Sequence, residues 1–279
     1  MKITDSFRKV EMISTDKVRK WIAEKKEGEL TLIDVREPVE YNEGHLPGAL
    51  LIPLSDLLDR INELDPAKPT ITYCRMGNRS RAAAALLMGQ GFNEAYNIEG
   101  GINAWKGYVA TGTYEVGMFL LEGRKTTEEL ISLAWALEDG TRMFYERVGE
   151  LVKDREAKQL FSSLVAAEQK HKIILFQTYR QIKGRDITEE FLKKEFLKDF
   201  MEGGVSVEET LEWLKAQDRT LQDILELCMQ VETNSLDLYS KMLHEIEDVN
   251  SKKVFSVLID EEKAHLSRMG KLLGGKLNK

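Results

Sequence analysis

Glu138, Tyr145, Glu168 and His171 recur as Glu232, Tyr239, Glu262 and His265, every member 94 residues further along the chain. In both sets Tyr follows the first Glu by 7 residues, the second Glu follows it by 30, and His follows that by 3. Apolar neighbours repeat at the same offset: Phe161 with Phe255, Leu164 with Leu258, Val165 with Ile259. Steps of three and seven return to nearly the same helix face, so each set points one way. Each carboxylate also lies in the apolar stripe of its segment, as Glu138 does among Ala134, Leu137, Thr141 and Val148. Unpaired carboxylates buried in such stripes cost several kcal/mol apiece, and four together must take up protons or cations. Two divalent ions cancel four carboxylates, so the pattern reads as a two-metal site. Hard carboxylates with one imidazole per metal suit iron or manganese and fit calcium poorly; zinc stays open. Tyr145 and Tyr239, two turns from Glu138 and Glu232, are placed to hydrogen-bond to carboxylates across the bundle, or simply to fill its core.

A second reactive group lies near the front of the chain. Cys74 opens the run Cys74-Arg75-Met76-Gly77-Asn78-Arg79-Ser80, between an apolar strand pattern and a helical one. A loop in that position aims backbone N–H groups at one centre and adds the positive end of the helix dipole. With Arg75 and Arg79 nearby, these surroundings favour thiolate, the nucleophilic form of cysteine. Cys228, the other cysteine, precedes Glu232 by one turn and reads as a small core residue.

Two kinds of scaffold are needed to hold these groups. Residues 1–110 alternate strand-like and helical segments: TLIDV (31–35), a helix over Ser55–Glu63, TITYC (70–74), a helix over Ser80–Gly89 and EAYNI (94–98). This predicts an α/β domain with a mainly parallel sheet. Residues 111–126 read as a linker, with an apolar patch at Met118–Leu121 expected to dock on something. From 127 to 279 strand signals vanish. Four long helices are predicted at about 127–150, 154–182, 217–246 and 250–273, with short helices near 188–200 and 206–215 broken by Gly203-Gly204. Four helices with one long crossover make the ferritin-like variant of the four-helix bundle, and the 94-residue offset implies two hairpins related by a pseudo-twofold axis.

The cysteine loop, with IDVREPVEYNEGHLPGALLIPL (33–54) before it and GFNEAYNIEGGINAWKG (91–107) after it, resembles a single rhodanese domain. That resemblance implies that Cys74 carries sulfane sulfur as a persulfide cradled by the amides of residues 75–80. It also implies that Arg75 and Arg79 attract an anionic donor such as thiosulfate. Asp34, Arg36 and His45 match framework positions. Phosphatase and arsenate-reductase loops need an arginine six positions after the cysteine or a loop longer by one residue; here Ser80 is sixth and Arg79 fifth. The bundle resembles the di-iron carboxylate proteins of the rubrerythrin and bacterioferritin branches. Carried over, Glu168 and Glu262 bridge two iron ions, while Glu138 with His171 and Glu232 with His265 are terminal ligands. Rubrerythrins tend to carry a further Glu three residues after the first glutamate of the third helix, where this chain has Ser235. Two cysteines cannot supply the four thiolates of a rubredoxin-like module, so a separate electron donor is expected.

Composition bounds the partners. A net charge of −7 without a basic stripe argues against nucleic acid, and no apolar run is long enough to span a bilayer. The opening MKITDSFRKVEMI lacks an export-signal pattern, and the two cysteines fall in segments of different pattern, which points to a reducing cytoplasm. A homodimer is expected. The leading expectation is a sulfurtransferase fused to a peroxidase- or oxidase-type metal domain. The alternative is a sensor or binding protein for reactive sulfur or oxygen, its bundle a metal-dependent dimerisation module.

Overall fold

The computed structural model describes residues 10–24, 28–112, 126–184, 187–189, 192, 200–215, 219–246 and 248–277. They belong to two compact units, Met1–Tyr114 and Glu115–Lys279. The proposed apolar dock at Met118–Leu121 lies outside the described residues.

The first unit is built on a five-stranded parallel sheet. Its elements are β1 (Glu11–Ile13), α1 (Thr15–Glu24), β2 (Thr31–Asp34), α2 (Pro38–Glu43), β3 (Leu50–Leu51), β4 (Thr70–Tyr73), α3 (Asn78–Gly89) and β5 (Ala95–Ile98). The strand order is β1-β5-β4-β2-β3, every neighbouring pair parallel. Central strands β2 and β4 are buried at every position, as expected of a sheet covered on both faces. Apolar clusters lie on the two sides: Ile33, Val35, Ala83, Ala84 and Leu87 in one, Leu32, Tyr41, Ile71 and Tyr73 in the other.

The segment Ser55–Glu63 is not the α-helix its spacing predicts. It makes one turn, closed by the Arg60 N–H on the Asp56 carbonyl at 3.0 Å, then a 3-10 turn over Ile61–Glu63. The Arg60 guanidinium donates to the Leu51 carbonyl at 2.9 Å, tethering the segment to the sheet edge while Leu57 and Leu64 both reach the core.

The second unit contains four long helices: α4 (Thr127–Leu151), α5 (Arg155–Lys183), α7 (Leu221–Glu245) and α8 (Val249–Leu277). The repeat extends to the residues that start them. Thr126 and Thr220, 94 apart, each close a capping box, with Glu129 and Asp223. Asp154 and Asp248, again 94 apart, accept from the N–H groups of Ala157 and Ser251 at 3.0 and 2.7 Å. The two hairpins therefore start and turn alike. Between them the crossover holds a small antiparallel ribbon, β6 (Phe200–Met201) with β7 (Val205–Ser206), followed by α6 (Val207–Lys215). A helix running to residue 200 is thus corrected: Phe200 and Met201 are strand, because Gly203 and Gly204, at φ 72° and 73°, turn the chain back sharply. Apolar residues form two clusters along the bundle, one around Trp135, Tyr239 and Phe255, the other around Phe144, Tyr145 and Phe161. No helix among the described residues is long and apolar enough to cross a membrane.

Candidate active and metal sites

The 94-residue pattern converges. Glu138, Glu168, Glu232, Glu262 and His265 are fully buried and His171 nearly so. His171 Nδ1 lies 3.0 Å from Glu138 Oε2 and 2.9 Å from Glu168 Oε2. His265 Nδ1 lies 3.2 Å from Glu232 Oε2, 3.3 Å from Glu168 Oε1 and 3.6 Å from Glu262 Oε2. The two imidazoles face each other at 5.7 Å, 19° from parallel. Donor atoms of Glu138, Glu168, His171 and Glu262 cluster within 4.8 Å of one another, as do those of Glu232, Glu262 and His265. Glu262 reaches both groups, and Glu168 stands between the two histidines.

The tyrosines cross over between the halves. Tyr239 donates to Glu138 Oε1 at 2.9 Å, and Tyr145 donates to Glu232 Oε1. Each hydroxyl spends its proton on one oxygen of a carboxylate from the other half, fixing that carboxylate's rotation.

Electrostatics separates the carboxylates into two kinds. Burial would raise all of them. At Glu138 the His171 charge and hydrogen bonds outweigh it and leave the pKa below the usual value; at Glu232, His265, Glu262 and Tyr145 bring it down to about 2. Glu168 and Glu262 go the other way, burial and neighbouring carboxylates holding them well above. Burial would lower His171, but Glu138 outweighs it and raises that imidazole to about 9. Both oxygens of Glu168 and Glu262, and Nε2 of His265, have no hydrogen-bond partner. Buried acceptors are normally satisfied. A donor set of four carboxylates and two imidazoles with vacant lone pairs in a dry core fits hard divalent or trivalent cations.

One further carboxylate lies outside the 94-residue pattern and was not among the expected ligands. Glu202, in the turn between β6 and β7, is fully buried beside Glu138, Glu168 and Glu232. Cys228 is buried next to Tyr145 and Glu232, and burial raises its thiol well above the ordinary value. That is the inert state expected of a core cysteine.

In the first unit, Cys74 ends β4 and is 2% exposed. Its Sγ accepts from the Gly77 N–H at 3.1 Å and lies 3.4 Å from Ser80 Oγ. Burial pushes the thiol up, but the Ser80 hydroxyl and the amides of Ser80, Met76 and Gly77 win, leaving it below its usual value. Gly77, at φ 96°, ends the loop as the residue before α3. Asn97 ties the loop to β5: its Nδ2 donates to the Gly77 carbonyl at 2.9 Å, and its Oδ1 accepts from Ser80 Oγ at 2.5 Å. Arg75, Met76 and Asn78 are exposed at the mouth, whereas Ser80 is buried. Arg79 forks on Glu40 at 2.6 and 2.7 Å, which brings the Glu40 carboxyl down to about 2, and its guanidinium also interacts with the Cys74 sulfur. Asp34 and Arg36 form a buried pair at 2.7 Å, and His45 stacks on Tyr41 at 3.5 Å.

Gly101 backs the loop. The carbonyl of Cys74 accepts from the Ile102 N–H at 2.9 Å, and a Cβ at residue 101, already at φ 58°, would overlap that same oxygen. Gly101→Ala is expected to destabilise the first unit by more than ~1 kcal/mol, read by denaturant unfolding of the full chain. An unchanged midpoint would contradict this close packing.

The rubrerythrin family model matches residues 129–273, just over half of the chain, and a rhodanese-like domain model matches 14–108. The chain belongs to the rubrerythrin family. Ahead of its rubrerythrin bundle it carries the rhodanese-like domain. That domain is 39% identical over 75 residues to the thiosulfate sulfurtransferase GlpE of Pseudomonas syringae, covering 27% of this chain and 71% of that one. It is 47% identical over 78 residues to the uncharacterized protein YqhL of Bacillus subtilis, covering 28% of this chain and 62% of YqhL. Among solved structures, a rhodanese-like domain protein from Staphylococcus aureus aligns at 28% identity with a TM-score of 0.35, over 37% of this chain and all of that one.

Proposed function

We propose that this rubrerythrin is a bifunctional enzyme: a sulfurtransferase using Cys74, joined to a redox bundle holding two metal ions. The observation that carries the bundle reading is the dry cluster of four carboxylates and two imidazoles in which both oxygens of Glu168 and Glu262, and Nε2 of His265, lack hydrogen-bond partners. Glu168 and Glu262 would be shared between the two ions, with Glu138 and His171 holding one and Glu232 and His265 the other. Iron is the ion we favour. Bound there, the metal pair would supply redox chemistry toward peroxide or dioxygen, its electrons coming from a separate donor. Tyr145 and Tyr239 hold Glu232 and Glu138 in fixed orientation, and the surrounding apolar clusters keep bulk water out.

In the first unit, the Cys74 thiolate attacks the outer sulfur of thiosulfate. The S–S bond to the sulfonate breaks, and sulfite leaves with the bonding electron pair. The new persulfide anion sits where the Gly77 and neighbouring amides converge. A thiophilic acceptor such as cyanide or a thiolate then takes the outer sulfur and returns Cys74 to thiolate. Arg75, exposed at the mouth, is the cation we assign to donor capture; Arg79 mainly holds Glu40 and so the α2 side of the loop.

The metal assignment is tested by elemental analysis. Protein expressed with ample iron should hold two ions per chain. Glu168→Ala or Glu262→Ala should lose both, because each carboxylate serves both ions, whereas His171→Ala should weaken one more than the other. One ion or none in the native protein would overturn the assignment.

A further inference from the structure

Glu202 is the one acid of the cluster that does not come from a long helix. Its side chain is fully buried, and neither carboxylate oxygen has a hydrogen-bond partner. The Tyr239 hydroxyl is near, but its single proton is on Glu138. A carboxylate buried among other carboxylates without a hydrogen-bond donor of its own is among the most unfavourable groups a fold can hold, so it must take up a proton or a cation.

The chain goes to some length to put it there. The Glu202 N–H donates to Thr141 Oγ1 at 3.1 Å, fixing the turn against α4. A Cβ on Gly140 would overlap the Phe200 carbonyl, so β6 touches the bare backbone of α4. On the other side, a Cβ on Gly203 would lie 2.7 Å from the Asn234 side chain, so the turn also packs closely on α7. Gly140 and Thr141 are the 94-residue mates of Asn234 and Ser235. The ribbon is therefore wedged between equivalent positions of the two halves, close to their pseudo-twofold axis. Both contact points lie within one turn of the terminal glutamates, Glu138 and Glu232. The two histidines of the cluster enter from α5 and α8, so Glu202 lies on the α4–α7 side, where His244 of α7 is exposed and contributes no imidazole to the cluster.

We propose that Glu202 is a seventh ligand of the metal pair, a carboxylate delivered by the crossover onto the face between α4 and α7. It rests on the two-metal reading above. It gives the centre five carboxylates: four balance two divalent ions, and the fifth adds the negative charge that favours a trivalent state.

Cobalt(II) is the probe, because its visible bands strengthen when coordination number falls. Metal-free full-length protein and Glu202→Leu, which replaces an unpartnered buried acid by an apolar group of similar size, are titrated with cobalt and their spectra compared. Wild type should take up two ions per chain. In Glu202→Leu one binding step should weaken at least tenfold, and the bands of that ion should intensify. Glu202→Gln, which keeps a donor oxygen without the charge, should fall between them. Melting of the metal-free variants checks folding, with Glu202→Ala as the replacement should the leucine variant not fold. Weaker binding with unchanged spectra would mean that Glu202 acts by charge alone and would overturn the ligand assignment. Equal affinity and equal spectra would overturn it outright. Failure of wild type itself to bind two cobalt ions would instead bring down the metal-site reading on which it rests.

Discussion

Cys74→Ser should abolish thiosulfate-dependent sulfur transfer, lowering turnover by roughly a thousandfold or more, as removal of a nucleophile does. Cys74 is the one cysteine of its unit, and the loop amides, with Gly77 nearest at 3.1 Å, converge on its sulfur. A serine oxygen in that place has a pKa far too high for those amides to ionise it, and it forms no stable bond to sulfane sulfur. Steady-state thiocyanate formation from thiosulfate and cyanide measures the loss. Mass spectrometry of thiosulfate-treated wild type should find one added sulfur on the peptide containing Cys74 and none on that containing Cys228, whose thiol is held protonated by burial. Metal content should be unchanged, since the metal cluster draws on the second unit alone. Retained turnover in the serine variant would sink the sulfurtransferase assignment. Single-turnover labelling without steady-state transfer would favour a sensor.

The repeat makes most of the carboxylate–histidine cluster legible in the sequence alone. Offsets of 3, 7, 30 and 94 residues constrain faces and partners together, and the caps Thr126, Asp154, Thr220 and Asp248 obey the same offset. Glu202 cannot be found that way. Its mate 94 residues earlier is Tyr108, in the other unit, and a glutamate in an irregular crossover has no periodic face to betray burial. The one available signal is the Gly203-Gly204 pair after it, which permits a turn tight enough to enter a bundle. The rhodanese-like unit shows a different gap. Its central strands stand out as apolar runs, but β1 and β3, of three and two residues, are too short for a pattern to register. Over Ser55–Glu63 the apolar spacing is compatible with a helix, and the tether of Arg60 to Leu51 decides otherwise. Likewise the sequence shows two arginines in the cysteine loop, while only the fold reveals that Glu40 of α2 occupies Arg79.

The metal-free bundle should lose stability as pH rises, and the metal-loaded bundle should gain it. Glu168, Glu202 and Glu262 have folded-state pKa values well above the unfolded one, through burial and mutual repulsion. The folded protein therefore keeps protons that the unfolded chain sheds above pH ~4.5. Their stabilisation is complete below that pH and drains away as pH climbs through the folded values. His171, raised to about 9, acts in the same sense from pH ~6.5 upward. Glu138 and Glu232, with depressed values, act oppositely but only below about 4.5. Each proton that the folded state keeps and the unfolded chain sheds removes about 1.4 kcal/mol per pH unit, so about 3 kcal/mol over two units, a large part of an ordinary stability margin. For a bundle of this size that is a fall of roughly 6–12 °C in melting temperature. With metal bound the sign reverses, because the ions displace those protons and acid then competes with them. Free metal at a thousand times its dissociation constant adds about 4 kcal/mol at neutral pH, and that increment shrinks toward pH 5.5. Calorimetry of the full chain at several pH values, chelated and metal-replete, should show the bundle transition moving in opposite directions in the two states. A metal-free transition that stays level or climbs with pH would mean that the buried carboxylates are not held protonated, and the electrostatic case for two cations would fall with it.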